Sequence, residues 1–294
     1  MSQALAGKVA LAAGATRGAG RGIAVELGAA GATVYCTGRS TRGNPSDLNR
    51  PETIEETAEL VTAAGGEGIA LQVDHTVESE VKALFEHVNA EQEGQLDILI
   101  NDIWGGEKMI EWGKKFWELE PSQSLKLIER AMFTHIITAR YGVPLMVKNG
   151  SGLVIEITDG DTLDYRGHFV YDFVKTGVIR MALGMAKDLQ DTGVTALALT
   201  PGFLRSEEML DHFGVSEENW RDAAQQEPSF IVSETPHYIG RAVAALAADP
   251  NINEKSGQAL ATWHLMKEYG FTDLNGTKPD WGKHFEEHIA SQQS

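Results

Sequence analysis

Short apolar runs recur along the chain and alternate with longer amphipathic segments. Runs rich in β-branched residues and bounded by turn residues are typical of buried strands. They predict seven strands, at about 9–13, 33–37, 68–73, 96–101, 153–158, 194–199 and 257–261. Because strands and helices alternate, the pattern predicts one mostly parallel sheet with helices on both faces, an α/β doubly wound fold.

The amphipathic segments predict the helices that connect these strands. Apolar residues at i, i+3, i+4 and i+7 place one helix at about 77–93. Pro51 is expected at the first position of another helix, which ends at about Ala64. Further helices are predicted at 121–148, 169–190, 206–226 and 235–248. The segment 104–117, with three tryptophans, breaks this rhythm and predicts an inserted loop near the mouth of a site.

Composition limits the classes of partner. The 294 residues include 42 acidic and 25 basic side chains, a formal net charge of −17. Such a surface repels nucleic acid and anionic membranes, so neither is expected to bind. No signal peptide and no apolar run of the ~20 residues of a membrane span is recognised. The single cysteine, Cys36, excludes an internal disulfide and favours a cytoplasmic protein, and the histidines show no metal-ligand spacing.

A glycine-rich turn joins the first predicted strand to the helix that follows. It contains Gly14, Gly18 and Gly20, with Thr16 and Arg17 between them. Glycine lets the backbone turn tightly and approach a phosphate with no Cβ in the way. The free N–H groups and the dipole at the helix N-terminus then favour that anion. The unit predicts a dinucleotide-binding, Rossmann-like domain.

Tyr171 and Lys175 lie four residues apart, on one face of a predicted helix. An ammonium group beside a phenol favours the phenolate, so we expect Lys175 to lower the tyrosine pKa from ~10 toward neutral pH. A tyrosine of this kind can exchange a proton with the oxygen of an alcohol or a carbonyl. The pair therefore predicts acid–base catalysis.

With these motifs in order, the chain resembles the short-chain dehydrogenase/reductase family over about residues 5–262. The matching segments are AGATRGAG at 13–20, the strand-end Asp74, LDILIND at 96–102, YDFVK at 171–175 and PGFLRS at 201–206. The resemblance implies hydride transfer between a nicotinamide and a small carbonyl or alcohol substrate. Tyr171 would be the acid/base, and Lys175 would hold the ribose hydroxyls.

The resemblance also implies further cofactor contacts. Asp74 would contact the adenine region, and Asn101 would shape the cofactor floor. Leu204 and Ser206 would lie near the nicotinamide carboxamide, after Pro201 and Gly202 of the same motif.

The second predicted strand ends in Arg39, where an NAD-specific member would usually carry an acid for the ribose 2′-hydroxyl. Arg17 lies inside the glycine turn. Two guanidinium groups suit a 2′-phosphate in charge and in geometry. NADP is therefore expected in preference to NAD.

Two positions depart from the family pattern. Asp159 aligns with the usual catalytic serine, and Thr158 precedes it. An ionised Asp159 donates no hydrogen bond and would oppose formation of the tyrosinate. Either a protonated Asp159 or the Thr158 hydroxyl would polarise a carbonyl, or Asp159 would bind a substrate hydroxyl or amine. Alternatively, Asp159 only caps the turn at the strand end. Ala131 aligns with the usual catalytic asparagine, so any proton relay is built differently.

One domain is expected over 1–294, with a substrate lid at 203–236 and a surface tail at 267–294. Met209, Phe213, Trp220 and Phe230 would form the lid, or simply the buried faces of its helices. A homodimer or homotetramer is expected from the resemblance, through the helices at 121–148 and 169–190. Besides an oxidoreductase, two alternatives remain: an NADP-binding protein with little turnover, and an epimerase or dehydratase of the same type.

Overall fold

In the computed structural model, which describes residues 3–289, seven strands form one sheet. They are β1 (Val9–Ala13), β2 (Thr33–Gly38), β3 (Glu67–Gln72), β4 (Ile98–Asn101), β5 (Gly152–Ile157), β6 (Val194–Thr200) and β7 (Ala259–Ala261). Every pairing is parallel, and the order is β3-β2-β1-β4-β5-β6-β7. The predicted α/β doubly wound fold is confirmed.

Helices cover both faces of the sheet. They are α1 (Gly18–Ala29), α2 (Ile54–Ala64), α3 (Glu78–Glu91), α4 (Pro121–Ile128), α5 (Thr134–Asn149), α6 (Phe169–Asp188), α7 (Glu207–Phe213), α8 (Pro236–Ala248), α9 (Thr262–Tyr269) and α10 (Trp281–His288). Along β1, Ala10 and Ala12 face the core that contains α1 and α8, whereas Leu11 faces the core that contains α3. Successive side chains of a strand point to opposite faces, and because both faces of β1 are covered, β1 is apolar along its whole length.

The packing of α1 on α8 requires two small residues. A Cβ on Gly22 would lie 2.1 Å from the carbonyl oxygen of Pro236, and one on Gly240 would lie 2.5 Å from that of Gly22. The two helix backbones therefore touch directly. This contact fixes α1, and with it the glycine turn, against the sheet.

The sequence of strands creates a crevice between β1 and β4. The chain leaves β1 toward β2 and β3 on one side and returns through β4 on the other. In open sheets of this kind, ligands bind beyond the carboxyl ends of the strands at such a switch point. Ala13, at the end of β1, pairs with Thr37 of β2 and with Asn101 of β4, so the three ends lie side by side.

Several predicted element boundaries are wrong. Pro51 precedes α2, which begins at Ile54 because Thr53 caps it by accepting from the Glu56 N–H at 3.2 Å. The expected helix at 121–148 contains a π-helical segment, Glu129–Phe133, between α4 and α5. The expected helix at 206–226 is only α7 followed by a 3₁₀ turn, Trp220–Gln225.

The C-terminal region is more structured than expected. It contains α9 and α10, and Trp281 of α10 contacts Phe203 with ring centroids 5.9 Å apart. The outer ends of the expected 1–294 domain and 267–294 tail, residues 1–2 and 290–294, lie outside the described residues. Among residues 3–289, no helix is both long and apolar enough to cross a membrane.

Candidate active site

A cavity of about 810 Å³ lies at the carboxyl ends of the central strands. Fourteen of the sequence-predicted site residues line it. They are Gly14, Thr16, Arg17, Gly18, Arg39, Asp74, Thr158, Asp159, Tyr171, Lys175, Pro201, Gly202, Leu204 and Ser206. Residues separated by up to about two-thirds of the chain are thus brought to one place.

Gly20 and Asn101 are placed differently. A Cβ on Gly20 would lie 2.4 Å from the carbonyl oxygen of Gly14, so Gly20 serves close packing within the turn. Asn101 is fully buried in the sheet, and its Nδ2 donates to Glu156 Oε1 at 2.7 Å. The cavity wall is formed instead by the next residue, Asp102. The structure therefore places Asp102, and not Asn101, in the cavity wall, while the expected role of Asn101 toward a cofactor stays a prediction.

Asp102 is a residue that sequence reasoning missed. Burial raises the pKa of its carboxyl to about 7, although the charge of Lys175 and a hydrogen bond from the Gly20 backbone act in the opposite direction. A carboxyl group with this pKa exchanges its proton near neutral pH. The one sequence signal for Asp102 was its position directly after Asn101, at the end of β4.

The glycine turn is shaped to accept a phosphate group. Gly14 and Gly18 have φ of 91° and 57°, in the left-handed region that favours glycine. The Gly18 N–H, at the start of α1, donates to Glu207 Oε2 at 2.9 Å. A carboxylate already bound there demonstrates that the amide is accessible to an anion. The residues present therefore fit the diphosphate of a dinucleotide.

Arg17 and Arg39 both line the cavity but are paired with acidic or polar neighbours. Arg39 Nη1 lies 3.1 Å from Asp47 Oδ2, and Arg17 Nη2 donates to Ser46 Oγ at 2.8 Å. Arg130, missed in the sequence, lies across the cavity with Nη2 3.5 Å from the same Asp47 oxygen. Arg39 and Arg130 therefore share the carboxylate of Asp47, whereas Arg17 lies against Ser46 and, with its Nε 3.5 Å from Oε2, against Glu52.

Tyr171 is hydrogen-bonded to Asp159. Its hydroxyl donates to Asp159 Oδ2 at 2.7 Å. Burial, followed by the charge of Asp159 and this hydrogen bond, raises the tyrosine pKa well above its ordinary value. The prediction that Lys175 lowers this pKa is therefore wrong, because burial and the Asp159 carboxylate raise it and the charge that opposes the rise is that of Arg166. At neutral pH Tyr171 is a protonated phenol.

Lys175 has a separate environment. Its Nζ lies 4.3 Å from the centre of the Trp104 ring and 5.7 Å from that of Tyr171. Burial lowers the pKa of this ammonium group, and the charges of Asp159 and Asp102 oppose the shift. The face of Trp104 stabilises the cation by a cation–π interaction.

The structure distinguishes between the two residues proposed at the serine position. The Thr158 hydroxyl is buried and donates to the Lys175 carbonyl oxygen at 2.7 Å. It ties the end of β5 to α6, whereas the carboxylate of Asp159 contacts Tyr171. Asp159 therefore occupies the position beside the tyrosine, and Thr158 has a positioning contact.

Arg166 organises the loop that carries Asp159. Its guanidinium donates to the carbonyl oxygen of Asp159, to the Thr162 carbonyl oxygen at 2.6 Å and to Asp172 Oδ1 at 3.2 Å. The positive charge also opposes the rise in the Tyr171 pKa. No spacing in the sequence indicated this residue.

Aromatic side chains form the other wall. Trp104 and Trp112 pack on Tyr171, with ring centroids 5.7 Å and 5.5 Å away. Trp117 is 69% exposed and packs on Phe116 instead. The sequence missed Trp263 and Trp281, which also line the cavity.

The expected lid contributes only its first part. Phe203, Leu204, Ser206, Glu208 and Met209 line the cavity. Trp220 and Phe230 are buried in a separate small core with Phe213, so they support the lid and do not cover the site. For these three residues the simple packing alternative is the correct one.

Glu234 supports the loop at Gly202 from behind. Its Oε2 accepts from the Gly202 N–H at 2.9 Å and from Thr262 Oγ1 at 2.7 Å. Burial raises its pKa to about 8. The carboxyl is therefore largely neutral at pH 7, and it fixes the backbone of a residue that lines the cavity.

Comparison with known proteins agrees with this geometry. The family described as short chain dehydrogenase matches residues 8–214. Mouse dehydrogenase/reductase SDR family member 1 is 35% identical over 274 residues, covering 92% of this chain and 84% of the mouse protein. The chain belongs to the short-chain dehydrogenase/reductase family, an oxidoreductase family whose members act on small molecules.

Solved structures show the same fold. A short-chain dehydrogenase from Mycobacterium thermoresistibile superposes with a TM-score of 0.77 at 21% identity, covering 95% of this chain and 92% of that one. A protein described as an NAD(P)-dependent gluconate 5-dehydrogenase from Beutenbergia cavernae, with bound NADP at low occupancy, superposes with a TM-score of 0.69 at 23% identity. The superposition covers 89% of this chain and 97% of the Beutenbergia protein.

The contact between Asp159 and Tyr171 leads to a titration prediction. In Asp159→Asn the negative charge is lost, so the Tyr171 pKa should fall toward its ordinary value of ~10. Tyrosinate absorbance, measured against pH, should gain one ionisation at lower pH than in the wild type. In a Tyr171→Phe background, the added change Asp159→Asn should leave the tyrosinate titration unchanged. An unchanged titration of Asp159→Asn would contradict the assigned contact.

Proposed function

We propose that the protein is an NADP-dependent oxidoreductase that moves a hydride between the nicotinamide and a small alcohol or carbonyl substrate. One observation carries this proposal: the glycine turn, two arginines and the Tyr171–Lys175 pair line a single cavity. A dinucleotide-binding turn and an acid–base tyrosine are the two parts that such chemistry needs.

Cofactor binding is assigned to the Gly18 amide, to Lys175 and to the arginines Arg17 and Arg39. The Gly18 amide would hold the diphosphate, and Lys175 would hold the ribose hydroxyls. Arg17 and Arg39 would bind the 2′-phosphate that distinguishes NADP from NAD. When bound, the nicotinamide supplies the hydride acceptor or donor. The NADP found in the Beutenbergia relative is compatible with this assignment.

Transfer of the substrate hydroxyl proton is assigned to Tyr171 and Asp159. In alcohol oxidation, the substrate hydroxyl gives its proton to the Tyr171 oxygen while the tyrosine proton moves to the Asp159 carboxylate. The phenol is neutral before and after the step, so the buried site holds no tyrosinate. In the reverse direction Asp159 must first be protonated. The hydrogen bond of 2.7 Å joins the phenol directly to the carboxylate that would take its proton.

Two alternatives remain: a binding protein with little turnover, which the changed Asp159 and Ala131 suggest, and an epimerase or dehydratase of the same type. Two observations favour an enzyme over a binding protein. Tyr171 is in direct contact with a proton acceptor, and Lys175 is buried in the same cavity. A protein that only binds the cofactor would have no use for the first contact.

Removal of the Tyr171 hydroxyl tests the proposal. Tyr171→Phe should lower kcat on alcohol substrates by about 10²- to 10⁴-fold, because proton transfer contributes that much. A panel of alcohols with NADP, and of carbonyls with NADPH, identifies a substrate first. NADPH fluorescence titration should give the same Kd for both proteins. Equal turnover by the two would overturn the catalytic assignment.

The assignment of the arginines predicts cofactor selectivity. Arg17→Ala and Arg39→Ala should each weaken NADPH binding about tenfold or more, since each removes a charge-assisted hydrogen bond. NADH binding should change little. Arg42→Ala is a matched control, because Arg42 is exposed and pairs with Glu59. Equal losses for NADPH and NADH would contradict a role in binding the 2′-phosphate.

A homodimer or homotetramer is part of the same proposal. Large apolar side chains on α4, the π-helical segment, α5 and α6 are at least half exposed: Leu125, Phe133, Ile136, Phe169 and Phe173. An exposed apolar patch of this kind marks an interface. It favours pairing through these helices.

Charge on this patch should separate the subunits. Ile136→Glu and Phe173→Glu should shift the mass measured by light scattering toward that of one chain. Leu60→Glu, a change at another exposed apolar position on α2, should leave the mass unchanged. A wild-type protein with the mass of one chain would contradict the assembly.

A further inference from the structure

Helix α7 lies over the start of α1 and contacts it directly. The Gly18 N–H donates to Glu207 Oε2 at 2.9 Å, and Arg21 Nη1 lies 3.9 Å from Glu207 Oε1. The Ser206 Cβ is 3.8 Å from the position that a Cβ on Gly18 would take. The first residues of the lid therefore close over the amide at the N-terminus of α1.

This amide is the one that an anion would be expected to bind. The first N–H groups of a helix have no partner within the helix, and the helix dipole places partial positive charge there. Glu207 supplies a carboxylate to this position. It is only about a quarter exposed, with 28% of its side-chain surface accessible. The carboxylate therefore stands where the proposed diphosphate would bind.

A second ion pair anchors the same helix. Arg50 Nη1 lies 2.8 Å from Asp211 Oδ2 of α7, and Arg50 Nη2 lies 2.8 Å from Glu52 Oε1. Arg50 belongs to the segment between β2 and α2, which also carries Asp47 against Arg39. The lid is thus tied to both sides of the cofactor end of the cavity.

We propose that Glu207 is an internal mimic of the cofactor diphosphate. It holds α7 closed over the cavity in the absence of a dinucleotide, and it is displaced when the dinucleotide binds. This inference rests on the proposed function, because it assigns a regulatory contact to the same cavity. Glu207 opposes cofactor binding and couples the position of the lid to the presence of the cofactor.

The competition can be measured as an affinity. In Glu207→Gln, the side chain keeps a hydrogen-bond acceptor but loses its charge, so it competes less well for the amide and no longer repels an arriving phosphate. NADPH should bind about three- to tenfold more tightly in a fluorescence titration. Glu218→Gln is a matched control with the same charge change on an exposed residue of the lid region. Its Kd should equal that of the wild type.

The closed lid can be measured without any nucleotide. Hydrogen exchange of the amides of 207–213 should be several-fold faster in Glu207→Gln than in the wild type and in Glu218→Gln. Unchanged exchange would overturn the role of Glu207 in holding the lid. Faster exchange with an unchanged or weaker NADPH affinity would overturn its role as a diphosphate mimic.

The two measurements also separate this inference from the proposed function. If the wild type and Glu207→Gln bind neither NADPH nor NADH, the proposed function and the diphosphate mimic are both overturned. The exchange comparison still decides whether Glu207 holds the lid. If NADPH binds to the wild type and exchange is unchanged, the proposed function stands and the inference fails.

Discussion

The close approach of Gly14 to the end of β4 is the constraint on which the site depends. A Cβ on Gly14 would lie 2.3 Å from the carbonyl oxygen of Asp102, and one on Gly20 would lie 2.4 Å from that of Gly14. Glycine at both positions lets the turn after β1 lie directly against β4. The first residue of α1, Gly18, consequently presents its N–H to the cavity at the switch point of the sheet.

At the end of the cavity that holds Tyr171, Lys175 and Asp159, burial has the largest effect on the pKa values of the tyrosine and the lysine. A tyrosine and a lysine on one helix face are expected to act on each other, yet burial and Asp159 dominate the pKa of Tyr171. Lys175 instead lies on the face of Trp104. An acid in place of the usual serine therefore keeps Tyr171 a protonated phenol, and under the proposed function the proton would pass through this neutral phenol.

The fold, and the grouping of most of the predicted site residues around one cavity, could be predicted because their signals are local. A strand, a glycine turn and a helix are contiguous, and Tyr171 and Lys175 are four residues apart. The position of Asp159 beside Tyr171 followed from alignment of a strand end, but the resulting pKa did not, because it depends on burial. The contact of Glu207 with Gly18 joins residues 189 apart. No spacing rule predicts such a pair, since packing of the lid determines it.

If the cavity binds phosphate groups, as proposed, its positive charge needs a balance when no phosphate is bound. In this chain the balance comes from carboxylates on the two segments that border the cavity. Asp47 lies between Arg39 and Arg130, and Glu207 accepts the hydrogen bond of the Gly18 amide. These contacts keep the borders of the cavity together. A dinucleotide that replaces both carboxylates would release both segments, so its charge alone would couple binding to their rearrangement.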